Sequence, residues 1–208
     1  MIRRRKSAVS TQQAWANTTI GKLAASEGFL ATLTPRANRV IDLAGLRTAR
    51  NYVDIGCGTA AYAHLLSARA GRTEAPLCLD IADGPLVDAL AWPEHLPLGD
   101  SSVDALTSLY FIRRFDDDIV HGFGGELSRV LAPGGSALLL EFAPVRNSRI
   151  HRLNGRATSA GCAEVDLRGW GRLAALFTEC GFDGIDLVNV GPFLFPPIPR
   201  VGVLLRRS

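Results

Sequence analysis

The sequence predicts an α/β fold, in which a mostly parallel, twisted β-sheet carries helices on both faces and ends in an antiparallel strand. Short runs of β-branched and other apolar residues alternate with longer helical segments, which is typical of parallel strands joined by helices. The first run, Asn51–Ile55, leads into the glycine turn Gly56-Cys57-Gly58 and then into an alanine-rich segment. This order indicates a strand that passes through a tight turn into a helix.

One domain is expected to account for the chain, with residues 1–48 as an N-terminal helical cap and residues 49–208 as the core. The predicted strands are Asn51–Ile55, Leu77–Asp80, Leu86–Ala91, Val103–Phe111, Ser136–Phe142, Gly184–Val190 and Val201–Arg206. The predicted helices of the core are Ala60–Ala70, Asp117–Leu131 and Trp170–Cys180. The last two strands flank the proline-rich segment Pro192–Pro199, and we expect them to pair antiparallel.

Local signals support the ends of these elements. Acidic residues in the first turn of the helix at Asp117 suit the positive end of the helix dipole. Pro133-Gly134-Gly135 predicts a turn that leads into the fifth strand. Gly181 predicts the end of the last helix. Residues 81–95 are too few for a helix and a strand, so the helix that would follow the second strand is expected to be missing. The thinly covered sheet face would suit a homodimer or a weakly held cofactor.

Composition favours a globular enzyme over a membrane or nucleic-acid-binding protein. Of the 208 residues, 47% are hydrophobic and 21% charged, which are ordinary values for a globular domain. No apolar run is long enough to cross a bilayer, and the first residues lack the apolar core of a signal peptide. A net charge of +3 does not by itself favour nucleic acid as a partner. The four cysteines show no C-x-x-C pair, and we expect a reducing, cytoplasmic location.

The glycine turn predicts a nucleotide-like cofactor. Glycine allows the backbone to approach a ligand closely, and the N–H groups at the helix start face the bound molecule. With Asp80 further along the chain, the turn fits a dinucleotide fingerprint. However, Asp54 lies two residues before Gly56, where a carboxylate would repel a pyrophosphate and attract a cation. This favours S-adenosylmethionine; the alternative is that Asp54 only holds the turn by hydrogen bonds.

Four segments that occur in a fixed order make the interpretation more specific. They are Val53–Gly58, the pair Asp80-Ile81, and the two downstream segments His95–Leu106 and Glu126–Glu141. Together they resemble the class I S-adenosylmethionine-dependent methyltransferases, especially the small-molecule branch that includes the ubiquinone and menaquinone methyltransferases. The resemblance implies a Rossmann-like methyltransferase fold and S-adenosylmethionine as the cofactor.

The resemblance also assigns cofactor-binding roles. Gly56, Cys57 and Gly58 would bring their backbone against the methionyl part, and Asp54 would hold its amino group. Asp80 would accept both ribose hydroxyls, since a carboxylate can accept two parallel hydrogen bonds. Ile81 would pack on the adenine, and Leu109 and Tyr110 would lie near the transferable methyl.

Two positions depart from the family pattern. Ala60 stands where family members usually carry a third glycine, and its methyl could narrow the pocket for the methionyl tail. Trp92 stands where an acidic residue usually receives the adenine amino group. An indole can stack on adenine but cannot accept that hydrogen bond, and Glu94 is the expected substitute.

Methyl transfer from a sulfonium needs mainly alignment, and it needs a base only where the acceptor must lose a proton. His151 is the candidate base, because histidine titrates near neutral pH. Tyr110 and Arg113 are candidates for orienting the acceptor; the resemblance places an arginine after the fourth strand in the quinone methyltransferases. The basic loop Arg146–Arg156 would either steer an anionic acceptor or form ordinary surface.

The sequence thus predicts methyl transfer from S-adenosylmethionine to a small-molecule acceptor that is apolar or aromatic. In one variant of this hypothesis the acceptor is also anionic. Phe193, Phe195 and the neighbouring prolines favour an apolar acceptor. The alternatives are a binding protein that keeps the fold without transfer activity, and an RNA methyltransferase that uses the basic loop. An NAD-dependent oxidoreductase is disfavoured, because it has no use for the two downstream motifs.

Overall fold

A computed structural model describes residues 26, 36–145, 149, 166–191 and 199–208 of the chain. Of the predicted N-terminal cap it describes Ser26 and residues 36–48, where residues 36–43 form helix α1. The rest of the cap lies outside the described residues. The same holds for His151, for most of the loop between residues 146 and 156, and for residues 192–198.

The core is a seven-stranded sheet with the order β3-β2-β1-β4-β5-β7-β6. The strands are β1 Tyr52–Ile55, β2 Leu77–Asp80, β3 Ala89–Leu90, β4 Val103–Leu109, β5 Leu131–Phe142, β6 Gly184–Val188 and β7 Arg200–Arg206. The further helices are α2 Ala61–Arg69, α3 Asp117–Val130 and α4 Trp170–Thr178, with a 3₁₀ turn at Ile112–Arg114. Strands β1 to β5 pair in parallel, and β7 is antiparallel to both β5 and β6. The predicted Rossmann-like architecture, with its antiparallel last strand, is therefore confirmed.

The two sheet faces bury separate apolar clusters. Val53 and Ile55 of β1 point to a cluster that contains Phe123 of α3 and Phe177 of α4. Tyr52, on the opposite face of the same strand, joins Ile41 of α1 and other residues of a second cluster. Alternate residues of a buried strand therefore point to different helix layers, as the period of two requires.

Several predicted boundaries were wrong. The third strand has two residues instead of Leu86–Ala91, because a turn in which Val87 N–H donates to Gly84 O over 3.1 Å occupies its predicted beginning. The fourth ends at Leu109 and not at Phe111, because Tyr110 adopts a φ of 59° and turns the chain into the 3₁₀ turn. The fifth begins at Leu131, where a bridge to Val103 continues the sheet before the register shifts.

Two further elements end two residues early: α4 at Thr178 instead of Cys180, and β6 at Val188 instead of Val190. Other predictions agree with the structure. Helix α3 has Asp116 as its N-cap, whose side chain accepts a hydrogen bond from Ile119 N at 3.2 Å, and acidic residues in its first turn. Residues 81–102, all of them described, contain no helix, so the predicted missing helix is confirmed. Exposed leucines, Leu77, Leu86 and Leu90, lie near this edge of the sheet.

Candidate functional site

The candidate site lies where the carboxyl ends of β1, β2 and β4 meet. In the sheet, Asp54 of β1 is paired with Cys78 of β2 on one side and with Thr107 of β4 on the other. The strand order runs outward in opposite directions from the β1–β4 pair. Open α/β sheets bind ligands at such a switch point, beyond the carboxyl ends of the strands. The glycine turn follows β1 directly into this position.

The glycine turn requires glycine at its first position. Gly56 and Gly58 have φ values of 76° and 59°, in the left-handed region that glycine tolerates best. A Cβ on Gly56 would lie 2.6 Å from the Cβ of Phe111 and closer still to its ring. The turn is held from the neighbouring strand, because Leu79 O accepts hydrogen bonds from Gly56 N at 2.8 Å and Cys57 N at 3.2 Å. Phe111 therefore closes one side of the turn and leaves no room for a side chain there.

Ala60 also adopts a left-handed conformation, with a φ of 57°, at the N-cap of α2. A third glycine at this position, as in the family, would relieve that backbone strain. The alanine methyl is fully buried and packs in a small cluster with Ala63 and Cys78. It therefore points into the protein, and the predicted narrowing of the ligand pocket is not supported by its placement.

Asp80 connects the glycine turn to the end of β2. Its Oδ2 accepts a hydrogen bond from Gly58 N at 2.8 Å, and its Oδ1 accepts one from Ala82 N at 3.1 Å. The side chain is buried, with 1% of its surface exposed. A carboxylate can accept about four hydrogen bonds, so backbone N–H groups and ribose hydroxyls can share the same side chain. The structure thus gives Asp80 an architectural role in addition to the predicted ligand role.

Asp54 is a buried carboxylate that does not hold the turn. Its Oδ1 accepts a hydrogen bond from the Thr107 hydroxyl, which also lies 2.8 Å from the Tyr52 hydroxyl. Among the described residues, Asp54 accepts no hydrogen bond from a backbone N–H of the turn, so the alternative of a purely tethering aspartate is not supported. Burial raises the pKa of Asp54 to about 7, with a smaller contribution from the nearby Asp80 charge. A cation bound beside this carboxylate would offset the cost of its burial.

The other predicted cofactor residues surround this centre at different depths. Cys57 is half-buried, and a hydrogen bond with Cys78, together with burial, raises the pKa of its thiol. Ile81 is buried in the apolar cluster on the α3 side, and Leu109 is half-buried on the opposite side. Their predicted contacts with adenine and with the transferable methyl remain predictions.

Trp92 and Glu94 lie farther along the same edge. The Trp92 ring is half-buried and meets the ring of Phe115 edge-on, with centroids 6.4 Å apart. Glu94 is half-buried and lies against α3, where a Cβ on Gly122 would come within 3.3 Å of its Cγ. Stacking of Trp92 on adenine and acceptance of the adenine amino group by Glu94 remain predictions.

Tyr110 and Arg113 form a compact group just past β4. Tyr110 has a left-handed φ of 59°, which is uncommon for a bulky residue. Residues in such strained backbone conformations are found most often at functional sites. Its ring stacks on the ring of Phe142, with centroids 4.4 Å apart and planes 20° apart. The Arg113 guanidinium donates to Tyr110 O and lies 5.9 Å and 5.5 Å from the centroids of the Tyr110 and Phe142 rings. Arg113 is buried, with 5% of its surface exposed, which favours positioning Tyr110 over touching the acceptor.

Several residues of the site escaped the sequence interpretation. Thr107 and Tyr52 support Asp54. Arg200 Nη1 donates to the Tyr110 hydroxyl over 2.8 Å. The alternation of residues along β4 is the only sequence signal that could have indicated Thr107, because β4 pairs with β1. Arg200 lies 90 residues from Tyr110, so no local pattern indicates their contact.

Comparison with known proteins identifies the same segment. A family model described as a methyltransferase domain matches residues 53–139. A demethylmenaquinone methyltransferase of Thermus thermophilus is 36% identical over 123 residues, which are 51% of this chain and 53% of that protein. A demethylmenaquinone methyltransferase of Deinococcus radiodurans is 33% identical over 149 residues, 58% of this chain and 61% of that protein. The match thus spans a little over half the length of these relatives. The predicted resemblance to class I S-adenosylmethionine-dependent methyltransferases is confirmed.

Solved structures share the fold at low sequence identity. Protein PH0226 of Pyrococcus horikoshii superposes with a TM-score of 0.65 and 12% identity, covering 89% of this chain and 94% of that one. A geranyl diphosphate C-methyltransferase of Streptomyces coelicolor gives a TM-score of 0.65 with 12% identity, covering 88% of this chain and 85% of that one. Within the described residues, no helix has both the length and the apolar character needed to cross a membrane.

Proposed function

We propose that this chain, whose residues 53–139 match a methyltransferase domain, transfers a methyl group from S-adenosylmethionine to a small aromatic or otherwise apolar acceptor. The observation that carries the proposal is the buried Asp54 carboxylate, which stands directly before the Gly56–Gly58 turn. Such a carboxylate suits a ligand with a cationic tail. The names of the two bacterial relatives support an acceptor of the quinone-precursor type and transfer to carbon.

The residues of the site fit this cofactor in three places. Gly56 and Gly58 leave the turn free of side chains, so a flat ligand can lie against the backbone. Asp54 provides a negative charge for the amino group of the methionyl tail. Asp80, at the end of β2, offers acceptor capacity for ribose hydroxyls while it holds the turn.

When bound, the cofactor supplies a sulfonium methyl that is already electrophilic: the acceptor atom forms a bond to the methyl carbon, and the electrons of the broken carbon–sulfur bond remain on sulfur. The protein has to place the acceptor in line and exclude water. Leu109 ends β4 and Tyr110 follows it, beside the glycine turn after β1; these are the described residues proposed to contact the acceptor. Arg113 is proposed to hold Tyr110 in place. A proton released by the acceptor would pass to His151 in this proposal.

Competition between two adenosyl ligands tests the role of Asp54. S-adenosylhomocysteine carries the amino acid tail, and 5′-methylthioadenosine lacks it. The wild-type protein should bind S-adenosylhomocysteine more tightly, by about tenfold or more, as expected for a charge-assisted hydrogen bond. In Asp54→Asn most of this preference should disappear, whereas Asp42→Asn, at the surface beside Arg47, should leave it unchanged. Equal preferences in wild type and Asp54→Asn would remove Asp54 from the tail site.

A binding protein without transfer activity is the main competing proposal. Its support from the sequence is Ala60, Trp92 and the missing helix; the Ala60 methyl is buried against Ala63 and Cys78. Transfer of labelled methyl from S-adenosylmethionine to a reduced naphthoquinone would decide between the two. Binding of the cofactor without turnover on a panel of phenolic and quinol acceptors would favour the binding protein.

A homodimer is proposed at the open edge of the sheet. Among the described residues, strand β3 pairs with β2 alone, and Leu86 and Leu90 are 50% and 60% exposed. Exposed apolar side chains beside an unpaired strand edge favour association. Light scattering on wild type and on Leu86→Lys/Leu90→Lys would test this: the proposal expects a dimer that becomes a monomer, and a wild-type monomer would contradict it.

A further inference from the structure

The polar group around the Tyr110 hydroxyl has a definite hydrogen-bond direction. Arg200 Nη1 lies 2.8 Å from the Tyr110 oxygen. Because a guanidinium has donors and no acceptor, the tyrosine oxygen must accept this bond. The hydroxyl hydrogen of Tyr110 is therefore not used in the bond with Arg200.

Both partners of this bond are held rigidly. Arg200 also donates to Val190 O at 2.7 Å and to Gly191 O at 2.9 Å, which fixes its guanidinium at the end of β6. The Tyr110 ring is stacked on Phe142, and Tyr110 N donates to Leu140 O at 2.7 Å. A donor held in place before a ligand arrives loses little conformational entropy on binding.

The group lies beside the proposed cofactor turn. Asp54 of β1 is paired with Thr107 of β4, so Tyr110 stands at the level of the residues that follow Asp54, which form the glycine turn. Phe111, the next residue, packs on Gly56. Tyr110 is thus among the described residues placed to meet an acceptor next to the transferable methyl.

The charges that act on the Tyr110 hydroxyl are predominantly positive. Arg200 and Arg113 are the cations, and Glu141, which is paired with Arg113, is the anion. Burial raises the pKa of Tyr110 despite these cations, so the hydroxyl remains protonated at neutral pH and keeps its donor hydrogen. The half-buried Tyr62, at the start of α2, whose pKa burial raises, shares only Arg200 with this set; the Tyr110 and Asp54 groups and the Arg36 cation also act on its pKa.

We propose that Tyr110 and Arg200 form a binding site for an ionised oxygen of the acceptor, which makes the acceptor a phenol or enol bound as its oxyanion. The inference rests on the proposed function, because it supposes that the acceptor lies next to the cofactor turn. The hydroxyl proton passes to the solvent when the acceptor ionises before it binds, so His151 is left for a proton that the acceptor loses after methyl transfer. The negative charge that remains makes the oxygen and the ring carbons beside it more nucleophilic. The site thereby selects the ionised form of the acceptor, which is the form that reacts with the electrophilic methyl group.

The probe is 4-nitrophenol, whose phenolate has its own visible absorbance, with nitrobenzene as the matched ligand that lacks the hydroxyl. The apparent pKa of 4-nitrophenol is measured in the presence of the wild-type protein, with and without saturating S-adenosylhomocysteine. We expect a decrease of about one unit, a tenfold preference for the phenolate, as a nearby cation produces. Nitrobenzene should bind at least tenfold more weakly than the phenolate.

Three variants of the site and one control identify the residues responsible. Arg200→Gln should abolish the decrease in pKa, Arg200→Lys should keep part of it, and Tyr110→Phe, which preserves the stacked ring, should reduce it. Arg206→Gln removes an exposed arginine from the same strand, one paired with Asp186, and should leave the decrease unchanged. Should Arg200→Gln not fold, Tyr110→Phe and Arg200→Lys decide.

Two outcomes separate the subsite from the function on which it rests. Binding of S-adenosylhomocysteine without any decrease in the pKa of 4-nitrophenol would overturn the oxyanion site alone. Failure of the wild-type protein to bind S-adenosylhomocysteine would overturn the proposed function. An undiminished decrease in Arg200→Gln, or equal affinity for nitrobenzene, would also overturn the oxyanion site.

Discussion

The backbone N–H of Gly58 donates a hydrogen bond to Asp80 Oδ2 over 2.8 Å and thereby joins the glycine turn after β1 to the end of β2. Ala82 N–H donates to the other oxygen of the same carboxylate at 3.1 Å. A residue expected to bind ribose therefore also shapes the turn against which the rest of the cofactor would lie. The ligand contact and the architecture share one buried side chain.

Replacement of Asp80 by alanine should reduce both affinity and stability. The lost carboxylate leaves two backbone N–H groups without their acceptor, so we expect the free energy of unfolding to fall by about 1–3 kcal/mol. Binding of S-adenosylhomocysteine should weaken by roughly 1.5–3 kcal/mol, the range for hydrogen bonds to a charged group. Urea denaturation and calorimetric titration measure the two effects.

Asp80→Asn is the matched control, because an amide oxygen can still accept one of the two backbone bonds. It should lose less stability than Asp80→Ala and still lose most of the ligand affinity. Full affinity in a folded Asp80→Ala protein would show that Asp80 does not contact the ligand.

Asp54 should make ligand affinity dependent on pH. Its pKa of about 7 in the folded protein means that the carboxylate is largely protonated at pH 6 and largely ionised at pH 8. Because a cationic amino group binds the ionised form, affinity for S-adenosylhomocysteine should rise up to about pH 7 and then level off. Asp54→Asn should bind weakly with a flat profile over this range; a sloping profile in the variant would assign the titration to another group.

Asp54 should also lower stability at neutral pH. Folding raises the pKa of Asp54. The contribution of such an acid to the free energy of unfolding is therefore most favourable below its pKa in the unfolded chain, and it is lost as pH rises through its pKa in the folded protein. Asp54→Asn should therefore be more stable than wild type, by about 2–4 kcal/mol above pH 7, with the difference shrinking toward pH 4. Urea denaturation at several pH values tests this; a less stable variant at pH 8 would contradict it.

Reciprocal substitutions at Gly56 and Ala60, in the same turn, should differ in their effect on stability. Gly56→Ala adds a methyl that overlaps Phe111 and places alanine at a φ of 76°, so it should cost about 3 kcal/mol or more. Ala60→Gly relieves a left-handed alanine and loses one buried methyl, and these effects should cancel to within about 1 kcal/mol. Urea denaturation of both variants checks the difference, and a tolerated Gly56→Ala would contradict the close packing of Phe111.

The buried pair of Arg113 and Glu141 should be sensitive to the loss of one partner. Their side chains are 5% and 4% exposed, and Arg113 also supports Tyr110. Arg113→Met leaves a buried carboxylate without its cation and should cost about 3–5 kcal/mol, whereas Arg113→Met/Glu141→Met should recover much of that loss. Denaturation of both variants and of Glu141→Met completes a double-mutant cycle; strictly additive effects would show that the pair is not coupled.

The sequence predicted the order of the elements well, because glycine turns, acidic helix starts and strand alternation are local signals. It also singled out Asp54, Gly56, Gly58 and Asp80, which lie in short motifs at the ends of β1 and β2, and their contacts with a cofactor remain predictions. It missed the two-residue length of β3 and the early end of β4, because edge pairing and the left-handed Tyr110 depend on tertiary contacts.

The acceptor side was harder to predict for the same physical reason. Arg200 meets Tyr110 only because β7 lies beside β5, and Glu141 meets Arg113 only because β4 and β5 are neighbours. Such contacts join residues far apart in the chain and leave no periodic pattern. The cofactor side of the site is thus readable from the sequence, while the acceptor side needs the fold.

The central claim is that the cleft binds S-adenosylmethionine, and calorimetric titration of the purified protein with S-adenosylmethionine and S-adenosylhomocysteine tests it most directly, with NADH as the control ligand. The account predicts binding of both adenosyl ligands in the micromolar range and no binding of NADH. Binding of NADH, or the absence of heat from both adenosyl ligands in a folded sample, would contradict it.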